Sequence, residues 1–192
     1  MSLEGIIGEM FAGKTTELFR RLDKVAICDL KVAYITHERD DRGGLFYSHN
    51  PNISNSHPGI DFLKLKNLGD FDPTKYDYIG VDEAQFFPDL NKIVREWIID
   101  KEKDVVIAGL KGDYELNTIG QIPMLLPIFR PGGLDILGAT CNKCVKQGKT
   151  PRNAIAGHSF ANKHIDNQIL IGGSETYEAR CLSHYKQGAS AS

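Results

Sequence analysis

The sequence has no long hydrophobic segment, no large excess of charge of either sign and no leader-like amino terminus. Its longest apolar run, Ile122–Phe129, has eight residues including two prolines, whereas a membrane-spanning helix needs about 20 apolar residues. Lys and Arg number 23 against 25 Asp and Glu, which excludes a broad basic surface for nucleic acid. Met1–Gly8 has neither the basic nor the long apolar region of a secretion signal. We therefore expect a cytoplasmic protein that binds neither membranes nor nucleic acid.

Cysteine is scarce, and its spacing indicates metal binding. Three of the four cysteines lie toward the carboxyl end, in the pairs Cys141-x-x-Cys144 and Cys181-x-x-His184. In a chain without a secretion signal, this spacing favours a metal over disulfides. Two such pairs supply the four ligands of a closed tetrahedral Zn²⁺ site, so we expect a structural zinc that stabilises a small lobe. The alternative is three buried thiols beside an unrelated histidine. The fourth cysteine, Cys28, is expected to be a core residue at a helix end.

Short apolar segments alternate with amphipathic ones along most of the 192 residues. The strand-like segments are Leu3–Ile7, Lys31–Thr36, Tyr78–Val81, Val105–Leu110 and Leu134–Thr140. Helical spacing begins at Thr15 and recurs across Leu90–Ile98. Strands alternating with helices predict an α/β fold, doubly wound around a mostly parallel sheet. Arg42–Gly59 has little periodicity and is expected to be a long loop.

The strongest motif is the segment Gly8-Glu9-Met10-Phe11-Ala12-Gly13-Lys14-Thr15, which matches the phosphate-loop pattern G-x-x-x-x-G-K-[ST] in full. It stands between a predicted strand and a predicted helix, which is the context this motif requires. Its glycines let backbone N–H groups point at phosphate oxygens. Lys14 brings a positive charge to the β- and γ-phosphates, and the Thr15 hydroxyl can bind Mg²⁺. The amino terminus of the following helix adds a favourable dipole.

Two carboxylates, Asp82 and Glu83, end the predicted strand Tyr78–Val81. An acidic pair at a strand end is commonly only a solvated turn. Beside a phosphate loop, however, one carboxylate can hold Mg²⁺ and its neighbour can take a proton from an attacking hydroxyl. The phosphate loop upstream therefore favours a role for this pair in catalysis over a solvated turn.

In combination, these residues resemble the type II (cytosolic-type, zinc-containing) thymidine kinases over nearly the whole chain. The resemblance rests on motifs that occur in the family's order, namely the phosphate loop with Met10-Phe11, Asp40-x-Arg42, Gly80–Phe87, Ala108–Leu110, the two zinc pairs and Gly172–Cys181. It implies a P-loop NTPase-like domain over 1–138, a zinc-binding and lasso lobe over 139–185, and a disordered tail over 186–192. The implied reaction is phosphorylation of the thymidine 5′-hydroxyl by ATP with Mg²⁺, giving dTMP.

The resemblance also implies roles for individual residues. Glu83 matches the general base, Thr15 and Asp82 would serve Mg²⁺, Lys14 would stabilise the phosphates and Arg42 would lie near the reacting oxygen. The residues implied for ATP are Gly8, Met10, Phe11, Ala12, Gly13, Lys14, Thr15 and Thr16. Those implied for the nucleoside, including a lasso that reads the base through its main chain, are Met10, Asp40, Gln85, Phe86, Leu110, Tyr114, Thr150, Gln168, Leu170, Ile171, Gly172 and Tyr177.

Two positions depart from the family's pattern near the implied nucleoside site. Lys111 follows Ala-Gly-Leu where many members have aspartate, and Ile119 precedes Gly120 where an aromatic residue is usual. Neither position belongs to the residues implied for phosphoryl transfer. Members of the family are typically homotetramers that are inhibited by dTTP, so both properties are expected here, with deoxyuridine as a possible second substrate.

Other functions fit the sequence less well. A GTPase would need an N-K-x-D motif, and a helicase would need a second motor domain. A zinc-lidded nucleoside monophosphate kinase is the closest enzyme alternative, although such enzymes usually place their zinc ligands mid-chain. A non-catalytic nucleotide sensor or a zinc-ribbon nucleic-acid-binding module is disfavoured by Glu83 and by the balanced charge.

Overall fold

The computed structural model describes residues 1–40, 57–161 and 176–189. Its strands are β1 (Ser2–Gly8), β2 (Val32–His37), β3 (Ile60–Leu65), β4 (Tyr78–Val81), β5 (Asp104–Leu110), β6 (Leu134–Leu137), β7 (Ala139–Thr140), β8 (Ile155–Ala156), β9 (His158–Ala161) and β10 (Tyr177–Arg180). Its α-helices are α1 (Lys14–Ala26), α2 (Leu90–Ile99), α3 (Asn142–Lys146) and α4 (Leu182–Ala189). Short 3-10 helices include Leu68–Asp70, Ala84–Phe86 and Ile122–Ile128.

Six strands form the central sheet in the order β3-β2-β4-β5-β1-β6. Strand β2 pairs in parallel with β3 and β4, and β4 pairs in parallel with β5. Parallel strands need crossovers over the faces of the sheet, and α1 lies between β1 and β2 in the chain as α2 lies between β4 and β5. The expected α/β fold with a mostly parallel sheet is confirmed.

The chain divides into two compact units. The first comprises Met1–Ile7, Lys14–Gly109 and Gly120–Asp135, and the second comprises Gly8–Gly13, Leu110–Ile119 and Ile136–Ser192. In the first unit, one face of the sheet packs on α2 through Val94 and Trp97, with Ile79 and Val81 among the strand residues of that core. The opposite face carries α1, whose buried Leu22 lies directly over Gly80 of β4.

Among its described residues, the second unit has a small hydrophobic cluster made largely of alanine. Its buried members are Ala139, Cys141, Cys144, Ala154, Ala156 and Ala179. Alanine side chains bury little apolar surface, so hydrophobic burial alone stabilises this core weakly. Two antiparallel pairs, β7 with β8 and β9 with β10, complete the described part of the unit.

The structure differs from the sequence-based expectations at four places. Strand β3 was not expected from the sequence. It begins directly after the expected long loop Arg42–Gly59, of which residues 42–56 lie outside the described part. The expected strand Leu134–Thr140 is interrupted at Gly138. The expectation for Cys28 was wrong, because its side chain is exposed and lies two residues after α1 ends. Helix α4 continues to Ala189, into the segment expected to be a tail, and the Phe160 ring lies beside Gly188.

Candidate active site and metal centre

The phosphate-loop motif connects β1 to α1, as its sequence context predicts. Its backbone turns through left-handed conformations at Phe11 (φ 66°) and Gly13 (φ 82°). Glycine adopts this conformation at little cost, which explains the glycine that precedes the lysine. Lys14 begins the helix and is 8% exposed. The first amides of an α-helix have no acceptors within the helix, and phosphate oxygens commonly bind at such a helix start.

Asp82, directly after β4, is buried and accepts three hydrogen bonds. Its Oδ2 atom accepts from the Thr15 hydroxyl at 2.7 Å and from the Tyr34 hydroxyl at 2.8 Å. Its Oδ1 atom accepts from the backbone N–H of Glu83 at 2.9 Å. The structure thus brings together the two residues that the sequence analysis assigned to Mg²⁺. Hydroxyl and carboxylate oxygens are hard donors of the kind that Mg²⁺ prefers, so this pair fits the ion.

Burial and charge also change the acidity of this site. Burial raises the pKa of Asp82 to about 6, with a further contribution from the nearby Glu83 carboxylate. The donated bonds from Thr15 and Tyr34 act in the opposite direction. Burial and the Asp82 charge likewise raise the pKa of Tyr34 well above its usual value, so this phenol remains a donor. An ionised Asp82 is therefore favoured when a positive charge arrives beside it.

Glu83 has an unusual backbone conformation that positions its side chain. Its φ and ψ angles are 49° and 40°, in the left-handed region that few non-glycine residues adopt. Such a conformation costs on the order of 1–3 kcal/mol, and residues of this kind cluster at functional sites. The Glu83 side chain is buried, and its Oε2 atom accepts from Gln85 Nε2 at 2.5 Å. Gln85, itself buried, therefore orients the carboxylate.

The residues assigned to the nucleoside are distributed between the two units. Three of them, Asp40, Gln85 and Phe86, belong to the first unit, where the Phe86 ring lies 5.8 Å from that of His37. The second unit contains Met10, Leu110, Tyr114, Thr150 and Tyr177. Of these, Tyr177 is buried and Thr150 is exposed. The remaining assigned residues lie outside the described part of the chain, namely Arg42, Gln168, Leu170, Ile171 and Gly172.

Three cysteines and one histidine form a cluster in the second unit. The Nδ1 atom of His184 lies 3.4 Å from the sulfurs of Cys141 and Cys181 and 3.5 Å from that of Cys144. The Cys144 and Cys181 sulfurs are 3.7 Å apart. Tetrahedral Zn²⁺ with ordinary bond lengths separates its ligands by about 3.5 Å for sulfur and nitrogen and about 3.8 Å for two sulfurs. The cluster therefore fits zinc, with no position left open for substrate.

Local structure explains how these ligands meet. Cys141 precedes α3 and Cys144 lies within it, whereas Cys181 precedes α4 and His184 lies within that helix. Each helix start thus presents two ligands one turn apart. Burial opposes ionisation of Cys141, but backbone N–H groups of Cys181 and Cys144 outweigh it and lower the pKa of this thiol to about 6. An ionised sulfur is the form that binds a metal.

Two residues near the motifs were not anticipated. Tyr34 donates to Asp82, and Ser159 accepts from the backbone N–H of Met10 at 3.1 Å. Tyr34 is read from the sequence only as an apolar strand position, and Ser159 as part of an unassigned segment. A tyrosine within a buried strand next to an acidic strand end is the one available signal, because a buried phenol needs a hydrogen-bond partner.

Comparisons with known proteins agree with this arrangement. A family model described as thymidine kinase matches residues 1–185. The chain is 35% identical to the thymidine kinase of Amsacta moorei entomopoxvirus, over 96% of this chain and 98% of that protein. It is 34% identical to the thymidine kinase of Coprothermobacter proteolyticus, over 96% and 90% respectively, and 32% identical to that of Mycoplasmoides gallisepticum, over 96% and 80%.

The described residues contain no helix that is both long and apolar enough to cross a membrane. The match to the family model covers the phosphate loop, the acidic strand end and all four ligands of the cysteine–histidine cluster. The resemblance inferred from the motifs is thereby confirmed, and the chain belongs to the thymidine kinase family.

Proposed function

We propose that the protein transfers the γ-phosphoryl group of ATP to the 5′-hydroxyl of thymidine, giving dTMP and ADP. The observation that carries this proposal is the hydrogen bond between Thr15 of the phosphate loop and Asp82 of the acidic strand end, with Glu83 next to it in a strained conformation. This arrangement provides an oxygen pair for a cation and a second carboxylate for proton transfer. Family membership supports the choice of nucleoside.

In the proposed mechanism, Glu83 accepts the proton of the 5′-hydroxyl as that oxygen bonds to the γ-phosphorus. The bond between this phosphorus and the bridging oxygen breaks, and ADP leaves. Lys14 and the N–H groups of Gly13, Lys14, Thr15 and Thr16 stabilise the phosphate oxygens, together with Arg42. Thr15 and Asp82 would hold Mg²⁺, which supplies charge neutralisation when bound. Positioning and charge stabilisation are expected to dominate the rate, because the transition state is loose.

The remaining expectations are also part of the proposal. The loop residues Gly8, Met10, Phe11 and Ala12 complete the ATP site. The base is held by Met10, Asp40, Gln85, Phe86, Leu110, Tyr114, Thr150 and Tyr177, with Gln168, Leu170, Ile171 and Gly172 as a lasso. Deoxyuridine is a second substrate, because one missing methyl group costs a hydrophobic pocket only about 1–3 kcal/mol.

At the level of the whole protein, we propose a cytoplasmic homotetramer inhibited by dTTP. Its ATP-binding domain spans 1–138 and its zinc and lasso lobe spans 139–185, with Cys141, Cys144, Cys181 and His184 holding a structural zinc. Light scattering of the purified protein and titration of its activity with dTTP test these two properties directly. A monomer, or activity unaffected by dTTP, would contradict them.

The decisive experiment compares ADP release from ATP with three acceptors and without an acceptor. Thymidine is expected to support turnover, whereas deoxycytidine, thymidine monophosphate and a reaction without acceptor should give little. Turnover with thymidine monophosphate would instead identify a nucleoside monophosphate kinase. Equal hydrolysis with and without thymidine would identify a nucleotide hydrolase. Magnesium dependence of the thymidine reaction, measured in the same assay, tests the assignment of Thr15 and Asp82.

A further inference from the structure

Glu9, the second residue of the phosphate loop, has a buried carboxylate with a specific set of partners. The residue is 2% exposed. Its Oε1 atom accepts from the backbone N–H of Ala139 at 2.6 Å, and its Oε2 atom lies 3.5 Å from Lys111 Nζ. The Lys111 side chain is 32% exposed, so its ammonium group reaches inward from the surface. A buried carboxylate is costly unless it is paired and hydrogen-bonded. Here Oε1 accepts a hydrogen bond and Oε2 has the Lys111 charge within ion-pair distance.

Lys111 and Ser159 also form hydrogen bonds with the backbone of the phosphate loop. The backbone N–H of Lys111 donates to Gly8 O at 3.3 Å, so this residue contacts the loop through both its main chain and its ammonium group. The N–H of Met10 donates to Ser159, a buried residue of β9. The first half of the loop is therefore bound by residues from three segments: the one after β5, β7 and β9. All of these contacts lie within the second unit.

Among the described residues around this contact, Lys111 is the cation that faces the Glu9 carboxylate. A cavity of about 230 Å³ borders the pair and is lined by Glu9, Lys111, Asp113, Leu116, His158 and Ser159. Burial and the Lys111 charge both lower the pKa of His158, so this imidazole is neutral at neutral pH. Lys111 therefore supplies the positive charge that faces the Glu9 carboxylate. An aspartate at position 111 would place a third carboxylate in this cavity, beside those of Glu9 and Asp113.

We propose that Glu9 and Lys111 are positioning residues that hold the phosphate loop in its nucleotide-binding conformation. The proposal rests on the proposed function, in which this loop binds the phosphates of ATP. A fixed loop loses less conformational freedom when the nucleotide binds, which increases affinity without any contact to the ligand. In this proposal Glu9 and Lys111 act as one ion pair, so neither charge is expected to position the loop without the other.

The test is a double-mutant cycle on ADP binding, measured by calorimetry without thymidine. The variants are Glu9→Gln, Lys111→Met and the combination. Each single change is expected to weaken ADP binding by about 5–30-fold. The combination is expected to weaken it by clearly less than the product of the two effects, because the residues act through one contact. The KM for thymidine should change less than the ADP affinity, since neither side chain belongs to the proposed nucleoside site and Met10 alone links that site to the loop.

Two controls separate positioning from a general loss of stability. Glu4→Gln removes a carboxylate on β1 that Arg21 and Arg130 bind at 2.7 and 2.5 Å, and it should leave ADP affinity unchanged. Lys111→Arg keeps the charge and should restore most of the affinity lost in Lys111→Met. Glu9→Gln keeps the side-chain volume and the acceptor for Ala139, so it remains informative even where Lys111→Met fails to fold.

The outcomes distinguish the two proposals. ADP affinity that is equal in Glu9→Gln and the parent protein would overturn the positioning role alone. Independent effects, which multiply in the combined variant, would also overturn it. A parent protein that binds no ADP would overturn the proposed function, and this inference with it.

Discussion

At the scale of single residues, the buried position of Asp82 determines how the free energy of unfolding responds to pH. Its pKa is raised to about 6 by burial and by Glu83, whereas an aspartate in an unfolded chain has a pKa of about 3.9. The folded state therefore binds the extra proton between these two values. The resulting contribution to stability is present at low pH and is lost as the pH rises through 6.

Asp82→Asn mimics the protonated acid and should remove this dependence. At pH 7.5 we expect the variant to be more stable than the parent protein by about 3 kcal/mol, and at pH 5.5 this difference should be smaller by about 1 kcal/mol. Urea unfolding of both proteins at the two pH values measures this difference. A gap that does not narrow toward pH 5.5 would contradict the assigned shift.

Glu83→Gln separates proton transfer from nucleotide binding. Glutamine can still accept from Gln85, so the strained backbone should persist, but an amide cannot take the proton of the 5′-hydroxyl. We expect kcat to fall by about 10²–10⁴-fold, while ADP binds with nearly unchanged affinity. Steady-state kinetics and calorimetry supply the two readouts, and near-full activity of the variant would remove Glu83 from the mechanism.

At the scale of elements, sequence periodicity predicts most strands of the sheet, but not the edge strand β3. Strands β1, β2, β4 and β5 are buried and apolar, so they are recognisable as short hydrophobic runs. Strand β3 lies at one end of the strand order, and Asp61 and Lys64 break its apolar pattern. Edge strands pair on one side only and tolerate such charges. The expected strand over 134–140 was too long because Gly138 interrupts it.

The distance between α1 and β4 gives a prediction at this scale. A methyl group on Gly80 would lie 2.7 Å from a terminal carbon of Leu22, which is too close for an ordinary contact. Gly80→Ala should therefore destabilise the protein by about 1–3 kcal/mol. Adding Leu22→Val, which shortens the opposing side chain, should recover part of this loss.

Gly69→Ala is the matched control for this pair. A methyl group at Gly69 would meet its nearest neighbour at an ordinary 3.5 Å, so the change in stability should be within about 0.5 kcal/mol. Thermal unfolding of the parent protein and these three variants tests the arrangement. Equal losses of stability in Gly80→Ala and Gly69→Ala would show that α1 shifts away from β4 at little cost.

At the scale of the whole molecule, the alanine-rich cluster of the second unit buries little apolar surface, so the proposed zinc is expected to contribute to its stability. The spacing of Cys141, Cys144, Cys181 and His184 predicts the ligand set, because four ligands in two short pairs are rare by chance. The sequence does not predict the hydrogen bonds from Tyr34 or to Ser159. Such contacts depend on which strands become neighbours, and composition and periodicity carry no information about that.

Removal of the metal should therefore affect the second unit strongly. We expect one zinc per chain in the purified protein, and a lowered unfolding temperature together with a raised KM for thymidine after chelation or in Cys144→Ala. Cys28→Ala, which changes an exposed thiol outside the cluster, should retain the metal and the unfolding temperature. A protein that contains no zinc and is equally stable with a chelator would contradict the assignment.

Because the Cys28 side chain is exposed, this thiol can be labelled selectively. With metal bound, three thiols are protected and Cys28 alone should react rapidly with a maleimide or a chromogenic disulfide reagent. Loss of metal should release the other three, so that the number of fast-reacting sulfhydryl groups changes from one to four. A fluorophore attached at that position would follow the protein without touching the proposed site, and counting reactive sulfhydryls would report how much of a preparation is metal-loaded.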